Sequence, residues 1–256
     1  MLGRKQSVSN NDWIKAMANI KNTVTAADIK KLEKKTLEEI KANTKGKKAA
    51  YAWSAGKDSI VLGYLCEKAG IKNCMIGICN LEYPAFLKWI EENKPAGLET
   101  VNTGQDMGWL LKHPEMMFPS GSKAGRWFAI VQHNAQAKYC RKHDIDILLL
   151  GRRKADGNYV GKGANIYTAK GITRYSPLSD WTHEQLLGCI AYNNLKLPPI
   201  YGWPNGYKCG THPWPARQWT GTVENAWSEV YAIDPSIVID AALHIESAKM
   251  FLEGTA

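Results

Sequence analysis

The sequence lacks the features that define several classes of protein. No stretch approaches the roughly 18 consecutive apolar residues of a membrane-spanning helix, and the first residues contain no apolar segment typical of a signal peptide. The six cysteines include no C-x-x-C pair, which argues against a zinc ribbon, and their scatter does not suit a secreted disulfide scaffold. We therefore expect a cytoplasmic protein that does not associate with membranes.

The composition predicts a folded protein, and the net charge predicts an anionic partner. Of the 256 residues, 45% are hydrophobic and 22% are charged, which suits a globular chain and excludes a disordered one. The length suits one large domain with extensions, or one large domain and a small second one. The formal net charge is +9, and a basic protein attracts nucleotides, nucleic acids and other phosphorylated molecules alike.

Most of the positive excess lies in the first 50 residues, which we predict to form two helices. Trp13, Met17 and Ile20 recur at helical spacing, and Thr25 followed by Asp28 is typical of the capped start of the second helix. Two interpretations are open: an amphipathic hairpin packed on the main domain, or an arm that binds nucleic acid or another partner. The predicted division of the chain is a basic helical extension over 1–46, an α/β domain over 47–220 and a helical extension over 221–256.

From residue 47 onwards, short apolar runs alternate with segments of helical periodicity. We predict strands at 49–53, 74–79, 98–103 and 146–151, and helices after the first two strands and over about 127–142. This alternation predicts an α/β fold, with a Rossmann-like, mostly parallel sheet that has helices on both faces. A segment rich in aromatic residues and proline follows it. In such sheets ligands bind beyond the carboxyl ends of the strands.

The loop after the first strand, SAGKDS, carries the strongest functional signal. A phosphate needs several donors on one side, and the start of a helix supplies backbone N–H groups and the positive end of the helix dipole. The glycine lets the main chain approach a ligand, and the lysine adds a positive charge. The spacing is neither that of a Walker loop nor that of a dinucleotide-binding turn. We predict that these residues bind phosphate: Ser54, Ala55, Gly56, Lys57, Asp58 and Ser59.

The loop resembles the pyrophosphate loop of the adenine nucleotide α-hydrolase superfamily. Further motifs resemble its phosphoadenosine phosphosulfate (PAPS) reductase family: NLEYP at 80–84, GRR at 151–153, and a stretch from YSPLSDW at 175–181 to Gly-Tyr at 206–207. The likeness covers about residues 48–219. One departure is that Asn80 and Leu81 stand where the family commonly has Asp-Thr.

The resemblance implies roles for further residues. Gly151, Arg152 and Arg153 would meet the anionic end of the substrate, and Arg217 would close over it. Lys57, Asp58 and Arg152 would serve catalysis, with Asp58 holding Mg²⁺ against the phosphates of an adenine nucleotide.

The resemblance leaves three functions open. The leading hypothesis is cleavage of ATP, bound with Mg²⁺, between its α- and β-phosphates, because the loop retains Lys57-Asp58-Ser59. The second is reduction of PAPS with Cys209 as nucleophile beside Lys208 and His212, which needs a thiol donor or a partner subunit. Thioredoxin-dependent reductases of the family carry their nucleophile in a Glu-Cys-Gly-Leu-His sequence, which the last residues of this sequence do not contain. The family's iron–sulfur reductases need an adjacent cysteine pair and a Cys-x-x-Cys; both are missing here, so we predict no iron–sulfur cluster. The third is a non-catalytic module that binds nucleotide or nucleic acid.

Overall fold

The computed structural model describes Leu2 and residues 8–119, 123–163, 165–209, 211–216 and 220–255. These residues cluster into two compact units. The first unit comprises the chain up to Ile76, Asn93–Val101 and Gln136–Pro198, and the second comprises Gly77–Glu92, Asn102–Ala135 and the chain from Pro199 onwards. The predicted boundaries after residues 46 and 220 are a different division and stay predictions.

A six-stranded sheet forms the framework of the fold, with the strand order β3-β2-β1-β4-β6-β5. β1 pairs in parallel with β2 and β4, β4 pairs in parallel with β6, and β5 is antiparallel to β6. All three residues of β4 are buried, as a strand needs to be when both of its neighbours are parallel. The predicted Rossmann-like α/β fold is confirmed. The strands are β1 (Ala49–Ala52), β2 (Cys74–Ile78), β3 (Leu98–Asn102), β4 (Ile147–Leu149), β5 (Ile166–Ala169) and β6 (Ile172–Tyr175).

The β5–β6 hairpin is absent from the sequence-based prediction. Its two-residue turn consists of Lys170 and Gly171, which both have positive φ angles, +52° and +73°. Two consecutive positive φ angles give the turn a twist that matches antiparallel strands, and Asn-Gly or Asp-Gly is the usual sequence signal for it. Lysine in the first position hides that signal.

Helices precede, separate and follow the strands along the chain, and most of them lie where the sequence predicts helices. The predicted helix over about 127–142 is three consecutive segments, because Phe128–His133 adopts a π-helix between two α-helices. The helices are α1 (Asn10–Ala18), α2 (Ile20–Thr23), α3 (Ala26–Thr44), α4 (Lys57–Lys68), α5 (Pro84–Asn93), α6 (Met107–Lys112), α7 (Ala124–Trp127), α8 (Asn134–Lys142), α9 (His183–Tyr192), α10 (Pro213–Ala216), α11 (Val223–Ile233), α12 (Pro235–Ala242) and α13 (Glu246–Thr255).

The N-terminal helices belong to the core of the first unit. α1, α2 and α3 each contact α9, and α3 also contacts α4. The apolar faces are buried at Trp13 and Ile29, and the indole N–H of Trp181 donates a hydrogen bond to the hydroxyl of Thr36 at 3.1 Å. Thr25 caps α3 as predicted, since its side chain accepts a hydrogen bond from the N–H of Asp28. These contacts support the packed hairpin, and nucleic acid as a partner stays a prediction.

In the second unit, α11, α12 and α13 pack on one another. Trp227 is fully buried, and its ring lies 5.6 Å from that of Trp214 and 4.7 Å from that of Phe118. The aromatic residues of this segment therefore fill a core. None of the helices in the described part of the chain is both long and apolar enough to cross a bilayer.

Candidate functional site

The loop between β1 and α4 is closed by its own residues. The Ser59 hydroxyl accepts a hydrogen bond from the N–H of Ser54 at 3.0 Å and donates one to the carbonyl oxygen of Gly56 at 2.9 Å. Ala55 has a φ of +55° and is fully buried, an arrangement that costs free energy for a residue with a Cβ. These bonds hold the loop as a tight turn. The hydroxyl proton of Ser59 is therefore donated to the main chain.

The first turn of α4 has no side-chain cap, like that of α2 and unlike those of α3, α6 and α9. The side chains of Thr25, Asp106 and Thr182 cap α3, α6 and α9, whereas the residue before α4 is Gly56 and no side-chain hydrogen bond caps this helix. Backbone N–H groups at a helix start carry partial positive charge and need an acceptor. The start of α4 is therefore suited to an anion.

Behind this helix start lies a buried network of charged side chains. Lys57, 2% exposed, places its Nζ 2.7 Å from Oδ2 of Asp58 and 4.0 Å from Oδ1 of Asp156. Its Nζ also lies 5.2 Å from the ring centre of Trp13. A buried ammonium group needs partners of this kind to offset the loss of hydration.

Arg153 lies at the centre of the network and is fully buried. Its Nε donates to Oδ1 of Asp58 at 2.6 Å, its Nη2 lies 2.9 Å from Oδ2 of Asp156, and its Nη1 donates to the carbonyl oxygen of Trp181 at 3.2 Å. The guanidinium thus ties three segments of the first unit together. In this structure the guanidinium group binds two carboxylates. Contact between Arg153 and a phosphate stays a prediction.

Gly151 allows the end of β4 to approach the start of α4. A Cβ at this position would lie 3.0 Å from the carbonyl carbon and oxygen of Asp58 and 3.1 Å from the N–H nitrogen of Ser59. Contacts this short require the backbone to move, so glycine is needed here for close packing. The end of β4 therefore lies directly against the first turn of α4, and the contact of Gly151 with a substrate anion stays a prediction.

Arg152 differs from Arg153 in its surroundings. It is half-buried, and its Nη1 donates a hydrogen bond to the hydroxyl of Tyr167 at 2.6 Å. Tyr167 in turn packs edge-on against Tyr159. Since Arg152 retains access to solvent, it fits the predicted anion contact better than Arg153 does. Arg217, the third predicted arginine, lies outside the described residues.

Sequence reasoning missed two members of the network, Asp156 and His183. Nδ1 of His183 lies 3.1 Å from Nη2 of Arg153, so it accepts that hydrogen bond. Burial, reinforced by the charge of Arg153, lowers the pKa of His183. Asp156 follows Arg153 by three residues, at the end of a short 3₁₀ helix. That spacing was the available signal, whereas nothing in the sequence near His183 points to Arg153.

Asp58 was predicted to hold Mg²⁺. Both of its oxygens already accept from cationic groups, Oδ2 from Lys57 and Oδ1 from Arg153. A single carboxylate paired with two cations does not fit a resident metal ion, which needs several oxygen ligands. The contact of Asp58 with Mg²⁺ carried by a bound nucleotide stays a prediction.

Cys209, the predicted alternative nucleophile, is buried in the second unit. Its N–H donates to the carbonyl oxygen of Asn205 at 2.9 Å, within a turn. His212, its expected partner, places Nε2 2.9 Å from the sulfur of Cys79. The role of Cys209 as a nucleophile, and that of His212 beside it, stay predictions.

The fold and the loop define a nucleotide-binding α/β enzyme. Residues 48–208 match the model of the phosphoadenosine phosphosulfate reductase domain. This chain belongs to that family.

A solved PAPS reductase agrees with this chain in fold. The PAPS reductase from Candida auris, solved as a phosphate complex, is 14% identical with a TM-score of 0.52, covering 70% of this chain and 92% of its own. The U34-tRNA thiolase from Methanococcus maripaludis, solved with its 4Fe-4S cluster, is 17% identical with a TM-score of 0.46, covering 87% and 77%. No curated protein sequence matches the chain. The absence of an iron–sulfur cluster stays a prediction.

Proposed function

We propose that this protein cleaves ATP between its α- and β-phosphates and transfers adenylate to an acceptor. The observation that carries the proposal is the start of α4, which has no side-chain cap and follows a loop closed by Ser59. An oxyanion at this position would receive hydrogen bonds from backbone N–H groups that are already fixed in place. The loop therefore suits the pyrophosphate leaving group, whose negative charge grows during cleavage.

The reaction needs positioning and electrostatics more than a protein nucleophile. An atom of the acceptor bonds to the α-phosphorus, the bond from that phosphorus to the α–β bridging oxygen breaks, and pyrophosphate leaves with the electron pair. The proton of the acceptor passes to solvent. The substrate is the Mg²⁺ complex of ATP.

Two cationic side chains have proposed roles in this reaction. Arg152 contacts the oxygens of the α-phosphoryl group, since it is accessible and held by Tyr167. Lys57 reaches a phosphate when an oxygen of the nucleotide replaces Asp58 as its partner. Arg153 and Asp58 keep the loop in place through their ion pair.

Product analysis tests the proposal. The full chain is incubated with Mg²⁺ and ATP labelled in the α-phosphate, or with PAPS and a dithiol, and the products are separated. We expect labelled AMP or an adenylated acceptor together with pyrophosphate, with water as acceptor when no other is present. Formation of sulfite and adenosine bisphosphate from PAPS, abolished by Cys209→Ser, would instead establish the reductase.

Matched arginine variants test the site. Arg152→Ala should lower kcat/KM about 100-fold, as expected for loss of a group that stabilises transition-state charge. Arg141→Ala, at an exposed position of α8, is the control and should leave the rate unchanged. Equal rates for both variants would remove Arg152 from the proposed site.

A further inference from the structure

The second unit contains a cluster of three potential metal ligands that the proposed reaction does not use. Cys79 follows β2, Glu82 lies three residues later before α5, and His212 immediately precedes α10. All three side chains are at least nine-tenths buried, with exposed fractions of 1%, 9% and 8%. One ligand atom from each lies within 4.8 Å of the other two.

The distances within the cluster are close to those of a tetrahedral metal centre. The sulfur of Cys79 lies 2.9 Å from Nε2 of His212 and 4.0 Å from Oε1 of Glu82. Sulfur and nitrogen, or sulfur and oxygen, bound to one zinc ion are about 3.6 Å apart, given bonds of about 2.3 and 2.1 Å. The two observed distances lie on either side of this value, so small side-chain movements suffice.

An unsatisfied polar atom also indicates a missing ligand. Oε2 of Glu82 has no hydrogen-bond partner among the described residues. A buried polar atom without a partner costs free energy, and native proteins rarely leave one so. A cation bound to Glu82 would satisfy its carboxylate.

Neighbouring groups hold the ligands in position. Thr211 donates a hydrogen bond to the carboxylate of Glu82, and so does the backbone of Cys79. The ring of His212 packs against that of Trp127 at 4.5 Å between centres. Contacts of this kind around a metal site orient the ligands and exclude water.

We propose that Cys79, Glu82 and His212 form a binding site for one zinc ion. A thiolate, an imidazole and a carboxylate together suit zinc, whereas Mg²⁺ and Ca²⁺ favour oxygen ligands and an iron–sulfur cluster needs more thiolates. Three protein ligands leave the fourth position of the ion for water or an external ligand. The proposal does not depend on the reaction proposed above.

The test uses the full chain, stripped of metal with a chelator and then loaded with Zn²⁺ or Co²⁺. After desalting, elemental analysis should find one zinc per chain. The Co²⁺ form should show a thiolate-to-cobalt charge-transfer band in the near ultraviolet and strong visible bands typical of four ligands. A folded wild-type chain that retains no zinc, or a Co²⁺ spectrum without the thiolate band, would overturn the proposal.

Matched variants assign the ligands. Cys79→Ser should abolish the charge-transfer band, whereas Cys140→Ser, at another buried thiol, should keep both the band and the bound metal. Glu82→Gln preserves the shape of the side chain and should weaken zinc binding by about 100-fold or more in a chelator competition. Circular dichroism establishes that each variant is folded. Wild-type zinc affinity in both folded Cys79→Ser and folded Glu82→Gln would contradict the assignment.

Discussion

Replacement of the two adjacent arginines after β4 should separate a structural role from a ligand-binding one. Arg153→Met removes a fully buried guanidinium and leaves the carboxylate of Asp156, 6% exposed, without that partner. Loss of one member of a buried ion pair costs about 3–5 kcal/mol of unfolding free energy. Arg152→Met removes a hydrogen bond from a half-buried side chain, which costs about 1 kcal/mol.

The two variants should rank in opposite order for stability and for ligand binding. Urea denaturation followed by circular dichroism gives the free energy of unfolding, and calorimetric titration with ATP gives the affinity at a temperature where both variants are folded. We expect Arg153→Met to be the less stable variant and folded Arg152→Met to show the greater loss of affinity per molecule.

A double variant provides the control for Arg153. Asp156→Asn removes the charge left behind by Arg153→Met, so the double variant should be less destabilised than the sum of the single changes. The reasoning is refuted if Arg153→Met loses less than about 1 kcal/mol, the net value of one ordinary hydrogen bond, while abolishing ATP binding. Arg153 would then contact the substrate.

Three further predictions concern Gly151, Glu82 and the exposed lysines of α3. Gly151→Ala should destabilise the protein by about 1–3 kcal/mol and weaken ATP binding, because the added Cβ would press against the backbone of Asp58. Gly202→Ala is the control, since a Cβ there has no atom within 4 Å, and it should change neither property. Thermal denaturation and titration with ATP measure the stability and the affinity of both variants. In the metal-free protein, burial raises the pKa of Glu82 from 4.5 to about 8. Between these two pH values the folded state therefore keeps a proton on Glu82 that the unfolded state releases. Stability should therefore fall as the pH rises from about 4.5 to about 8, and urea titrations of Glu82→Gln should lack this fall. Replacing Lys34 and Lys41, both exposed on α3, by Gln should change stability by no more than about 0.5 kcal/mol and leave ATP affinity intact; a large loss of affinity would place the basic helices in the site.

Local sequence patterns predicted the elements whose signals are local. The apolar run of β1, the SAGKDS loop and the Thr25 cap depend on neighbouring residues, and each is present in the structure. The π-helical segment was not predicted, because the periodicity of its residues fits an ordinary helix equally well.

The parts of the candidate site that sequence reasoning missed depend on distant contacts. The family resemblance implied an anion contact for both Arg152 and Arg153, but only tertiary packing shows that Arg153 is enclosed by Asp156 and His183. The same holds for the pair of Cys79 and His212, separated by 133 positions, because no sequence spacing links residues so far apart.

The most direct test of the account is a crystal structure of the full chain with α,β-methylene-ATP, which cannot be cleaved between those phosphates. We predict that the β-phosphate lies within hydrogen-bonding distance of the backbone N–H groups of Lys57 and Asp58, at the start of α4. Electron density for the nucleotide elsewhere, with that helix start in contact with water alone, would contradict the account.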